Sequence, residues 1–283
     1  MPLPFQDRRD AGRELAARLE AYRGRVDVVV LGLPRGGVPV AFEVAAELAA
    51  PLDVFLVRKL GVPGHEELAM GAIASGGTRV LNEDVIRDWQ IPDIAVDAVT
   101  SLERQELARR DRLYRGTQAA PAIGGKTAIL VDDGLATGST MRAAAEALRK
   151  LDPARIVVAV PVAALPVCDA FADVADETVC AETPEPFHAV GLWYEDFSPT
   201  SDDEVRMLLR QAEEQATVRS PAEEQTPDAA SLSLNDSVRA PATQADDPAA
   251  PDRLLDLVGD APIVRNGEAT HGTQSTRRLR SSR

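Results

Sequence analysis

Four short apolar runs constrain this chain most. Val26–Leu33, Leu52–Arg58, Thr127–Asp132 and Ile156–Val162 are dominated by β-branched and aliphatic residues with few polar breaks. A strand with one wet face alternates apolar and polar residues. A nearly unbroken apolar run fits a strand covered on both faces. Helix-compatible stretches lie between the runs, at Val38–Ala49, 93–115 and Thr140–Leu151. Repeated strand–helix units predict an α/β fold, a doubly wound parallel sheet with helices on both faces. Shorter strands are expected within 68–81, around Ser75-Gly76-Gly77, and at 178–181 and 188–192. A closing helix is expected over 202–216.

Composition narrows the function. At 283 residues and 45% hydrophobic content a sizeable core can form, whereas a formal charge of -14 opposes nucleic-acid binding. Cys168 and Cys180 are the only cysteines and form no CxxC pair. The expectation is a reducing compartment with neither a disulfide framework nor a zinc site. The first fifteen residues lack the apolar segment of a signal peptide. The longest apolar run, Ile156–Val167, is too short to cross a bilayer and contains Pro161 and Pro166. A cytoplasmic protein without membrane contact is expected. Beyond residue 211 aromatics vanish and Pro, Ala, Ser, Asp and Glu dominate. Such a segment buries too little apolar area to offset ordering entropy. The expected division is one domain over 1–216 and a disordered acidic tail over 217–283, with a helical turn conceivable at Asp252–Val258.

The segment Ala128–Thr140 carries the sharpest chemistry. Four apolar residues end in Asp132 and Asp133. Small and hydroxylic residues, Ala136, Thr137, Gly138, Ser139 and Thr140, then lead into a strong helix former. Free amides at a helix start attract anions, glycine allows close approach, and hydroxyls add donors. The loop is therefore suited to a phosphate. Two adjacent carboxylates suit sugar hydroxyls or a bridging Mg²⁺. A ribose 5-phosphate satisfies both ends. An Asp-Gly turn with a Ser/Thr cap accounts for only half of these residues.

This stretch resembles the phosphoribosyl pyrophosphate (PRPP) motif of type I phosphoribosyltransferases. Gly134 departs from it, standing where an aliphatic residue is usual. The resemblance extends over about residues 5–210. It is closest to an uncharacterised bacterial group marked by PRGG, RKLG, VDDGLATG and WYxDF. It implies a small hood and a helical insertion on the sheet, and an enzyme that moves ribose 5-phosphate from PRPP to a nitrogen acceptor with Mg²⁺ and releases pyrophosphate. Asp132 and Asp133 would hold the ribose diol and, with Asp196, the metal. Thr137–Thr140, with Ala136, would cradle the 5-phosphate.

Leu33-Pro-Arg-Gly-Gly37 matches the family's pyrophosphate loop, giving Arg35, Gly36 and Gly37 that role and implying a cis peptide between Arg35 and Gly36. Arg58 and Lys59 match a basic pair that assists catalysis beneath a flexible lid, here Gly61–Glu67 with His65. Trp193 and Tyr194 fall where an aromatic stacks on the acceptor base. Purine-salvage members carry an aspartate at the position of Ala136, so a purine acceptor is not implied. A regulator that senses PRPP or a nucleotide on the same fold is the alternative reading, and a homodimer is compatible with either.

Overall fold

A computed structural model describes residues 4–219. The chain runs α1 (Arg8–Arg18), β1 (Val28–Gly32), α2 (Gly37–Leu48), β2 (Leu52–Val54), β3 (Val57–Val62), β4 (His65–Ala74) and β5 (Arg79–Leu81). There follow α3 (Glu83–Asp88), α4 (Asp93–Arg115), β6 (Thr127–Val131), α5 (Ser139–Arg149), β7 (Arg155–Val162), α6 (Leu165–Asp169), β8 (Glu177–Glu182) and α7 (Asp202–Arg219). Apart from 217–219, which extend α7, the expected tail and its Asp252–Val258 turn lie outside the described residues.

The main sheet is five-stranded in the order β2-β1-β6-β7-β8, and its neighbouring pairs are parallel. Successive residues of each run point to opposite faces, and both faces are dry. Val29, Leu31, Leu130, Val158 and Val160 pack with Met141, Ala144 and Leu148 of α5. Val28, Val30, Ile129, Val131 and Val157 pack with Leu15 of α1 and Val40, Val44 and Leu48 of α2. Each such side chain contributes about 1.5–3 kcal/mol by leaving water, so neither face tolerates polar alternation. The doubly wound expectation is met.

A second, three-stranded sheet, β3-β4-β5, forms the hood. With α3 and the long α4 it closes a core of Leu60, Met70, Ile73, Val96 and Leu107 that continues onto Phe42 of α2 and Val205 of α7. The run Leu52–Arg58, expected as one strand, is split between the two sheets. The Phe55 amide donates to the Gly32 carbonyl at 3.0 Å and the Leu56 amide to Ser75 Oγ at 3.0 Å. The chain thus leaves one sheet and enters the other across two buried residues.

Residues 61–67, the expected lid, form the tip of the β3–β4 hairpin, with Gly64 at φ 79° in the turn. Two further expectations are corrected. The segment 188–192 forms no strand, because Val190–Trp193 closes as a 3-10 turn. Cys168 and Cys180 are joined in a disulfide. They lie twelve positions apart in sequence, but α6 folds back over β8 and brings their Cα atoms to 6.5 Å. Among the described residues no helix is long and apolar enough to cross a membrane.

Candidate active site at the strand ends

Strand order reverses between β1 and β6, and open α/β sheets bind ligands in the crevice beyond such a switch point. The loops that leave these two strands are in contact. The Leu33 amide donates to the Val131 carbonyl at 2.8 Å. Gly36 opens α2, and a Cβ built on it would lie 2.1 Å from Asp133 Oδ2. A Cβ on Gly37 would meet the Val131 carbonyl at 2.7 Å. Both glycines are therefore demanded by the acid pair behind them. The structure brings Gly36 and Gly37 together with Asp132 and Asp133, as the sequence expects. Arg35 is exposed beside them. The cis peptide is Pro34–Arg35, one bond earlier than expected. The Gly37 and Val38 amides donate to the Leu33 and Arg35 carbonyls and close the turn into α2.

The acid pair is short of positive charge. Burial first, and then the neighbouring Asp133, push the Asp132 carboxyl well above the usual range. The Asp132 carboxylate accepts from the Asp133 amide at 2.9 Å. Burial also raises Asp133, against the opposing pull of Arg8. Arg8 Nε donates to Asp133 Oδ2 at 2.9 Å. The phosphate-type loop lies alongside. Gly138 adopts the left-handed region at φ 73°, and a Cβ there would press 3.0 Å from the Phe171 ring, so glycine is required on both counts. Thr137 Oγ1 lies 3.1 Å from Ser139 Oγ. The amides of Thr140 and Met141 have no hydrogen-bond partner among the described residues. Ala136, Thr137, Ser139 and Thr140 are exposed, as a ligand loop requires.

Other expected site residues are placed differently. Arg58 and Lys59 are consecutive on β3 and so face opposite sides of the hood sheet. Arg58 Nε is held by Glu103 of α4 at 2.6 Å, and Lys59 Nζ by the Glu67 carbonyl at 3.1 Å. His65 stacks edge-on against Trp89, 4.8 Å between centroids. Tyr194 is no stacking platform: it is buried, and its hydroxyl donates to the Asp133 carbonyl at 2.6 Å. Burial and the negative charge of Asp133 raise its pKa further above the ordinary tyrosine value. Trp193 packs with Phe187, Val190 and Phe197 around the same cluster. Asp196 is exposed and accepts from the Ser198 amide and hydroxyl. Among the described residues no three acidic, histidine or cysteine side chains gather as a metal site, so Asp196 does not join Asp132 and Asp133.

The pair Asp132 and Asp133 nevertheless suits Mg²⁺. Hard carboxylate oxygens, two acids against the single cation Arg8, match an ion that takes one or two carboxylates and draws its remaining ligands from water and substrate phosphate.

Arg8 was not anticipated. It is the first residue of α1, where the helix dipole disfavours a cation. A cation placed against the dipole is the one sequence signal that a distant acid holds it.

A phosphoribosyl transferase domain family matches residues 5–183. The Mycobacterium tuberculosis protein Rv0571c, provisionally named a phosphoribosyl transferase, is 52% identical over 209 residues, which make up 74% of this chain and 47% of that one. The chain thus spans about half the length of that relative. The crystal structure of TT1426 from Thermus thermophilus shares 41% identity with a TM-score of 0.68, covering 74% of this chain and 99% of its own.

Proposed function

Because the chain belongs to the phosphoribosyltransferase family, we propose that it binds PRPP at the β1–β6 switch point and transfers the ribose 5-phosphate to a nitrogen acceptor with loss of pyrophosphate. The observation that carries this reading is the convergence there of three unlike features. These are a carboxylate pair, a glycine loop pressed against it, and a helix-start loop with unpartnered amides.

Each part of PRPP has a counterpart. Asp132 and Asp133 accept hydrogen bonds from the ribose 2- and 3-hydroxyls. The loop Ala136–Thr140 receives the 5-phosphate through the first-turn amides of α5 and the hydroxyls of Thr137, Ser139 and Thr140. The turn Arg35–Gly37 receives the pyrophosphate, where Arg35 offers a charged fork. Asp132 and Asp133 would hold Mg²⁺, which when bound neutralises charge on the pyrophosphate oxygens. The bond from the anomeric carbon to pyrophosphate breaks with its electron pair leaving on oxygen, and the acceptor nitrogen forms the new bond and loses a proton. A donor well placed on the leaving oxygen is worth about 3–4 kcal/mol. Ala136 offers no proton-transferring group, so the acceptor must release its proton to water or to a group outside this loop.

The test is calorimetric titration with PRPP and Mg²⁺, followed by pyrophosphate release across a panel of nucleobases and amines. Binding together with release for at least one acceptor is expected. Absence of PRPP binding would overturn the assignment. Binding without release from any acceptor would leave a PRPP-responsive regulator.

A further inference from the structure

The Arg8 guanidinium is fixed on three sides. Its Nε donates to Asp133 Oδ2 at 2.9 Å, one terminal nitrogen donates to the Ser198 carbonyl at 2.8 Å, and its Cζ lies 4.0 Å from the Phe197 ring centre. Only 11% of the side chain is exposed, against 16% for Asp133. A fork held on two acceptors and an aromatic face has little rotational freedom left.

The backbone around it is fixed as well. Phe5 donates to the Trp193 carbonyl and accepts from Glu195, and Asp196 donates to Gln6. The segment before α1 is thereby laced to the segment that supplies Phe197 and Ser198. The Tyr194 hydroxyl ties that second segment to the Asp133 carbonyl. Asp133 is gripped at its main chain from one side and at its carboxylate from another. The gripped oxygen is the one that lies over Gly36, against the turn proposed for pyrophosphate. Asp132, by contrast, meets only its neighbour's amide.

We infer that Arg8 is a positioning residue for PRPP: it holds the Asp133 carboxylate in the orientation that receives the ribose diol, while Asp132 is left open. This rests on the PRPP reading above and assigns the two acids different duties. Loss of the guanidinium would free a buried carboxylate to turn away or bind a proton. Binding of the ribose portion would then suffer, while metal-free pyrophosphate, which has no diol and meets the Arg35–Gly37 turn, would bind as before.

The experiment uses the full chain and calorimetric titration of PRPP with Mg²⁺, and of ribose 5-phosphate and inorganic pyrophosphate separately without it, so that a metal held by the acid pair cannot carry the effect to pyrophosphate. Arg8→Met retains the packing on Phe197 without the charge-assisted bonds. It is expected to weaken PRPP and ribose 5-phosphate by about tenfold or more and to leave pyrophosphate within about twofold. Arg8→Lys keeps the charge but cannot span both oxygens, so an intermediate affinity is expected and covers the case of an Arg8→Met protein that folds poorly. Two outcomes overturn the inference: PRPP affinity unchanged in Arg8→Met, or equal weakening of all three ligands with a lowered melting temperature, the mark of a merely structural residue. Failure of the wild-type chain to bind PRPP would instead sink the underlying reading, and the inference with it.

Discussion

A carboxylate that shares a pocket with a second carboxylate and little water resists ionisation. Asp132 is in that position, and the sign of its effect on stability follows. Its folded pKa is raised, so the stability it contributes is complete below the ordinary carboxylate value of about 3.9 and drains away as pH climbs through the raised value. In Asp132→Asn that drain is absent. The Asn variant is expected to melt about 2–4 °C above the wild type at neutral pH, the effect of ~1 kcal/mol in a chain of this size, with the difference vanishing near pH 4. PRPP affinity should fall at least about tenfold in the same variant. Melting curves from pH 4 to 8 with a parallel titration check both; equal melting temperatures throughout would show Asp132 to be well solvated. The identity of the acid pair was legible in the sequence, since the motif is local. Its inequality was not, because it depends on Arg8, 125 residues away.

Among the elements, α6 ties the site to the sheet edge. Val167 and Phe171 both pack within 3.3 Å of the position a Cβ on Gly138 would take, so this segment braces the loop proposed for phosphate. The Cys168–Cys180 bridge fastens it to β8. Closing a loop of this length stabilises by about 3 kcal/mol in the chain-entropy picture. Reduction is therefore expected to lower the melting temperature by about 5–10 °C. Melting with and without a reducing agent, with Cys180→Ser as control, measures it; an unchanged value would show that the bridge does not form in solution. The long elements were legible: α4 spans Asp93–Arg115, the helix-compatible stretch expected over 93–115. What periodicity missed is the partition of 52–58 between two sheets and the hairpin over 61–67, both set by which strand edge lies nearby. The same alternation that marks β3 as a strand also separates Arg58 from Lys59, a consequence the motif match concealed.

Over the whole chain, the described residues form a structure whose relative TT1426 is matched over 99% of its own length. A protein ending after Arg219 is expected to melt within about 2 °C of the full chain; a larger drop would mean that residues 220–283 stabilise the domain. The sequence by itself determined the parallel sheet, its two dry faces, and the acid pair and glycine loops at its strand ends. Those features come from runs of neighbouring residues whose period and polarity act locally. Tertiary structure alone decided which groups face one another: Arg8 on Asp133, Tyr194 spent on a carbonyl instead of a base, Arg58 bound to Glu103, and one cysteine bonded to the other. Such pairings are distances between remote parts of the chain, fixed by how the layers pack, and no local pattern encodes them.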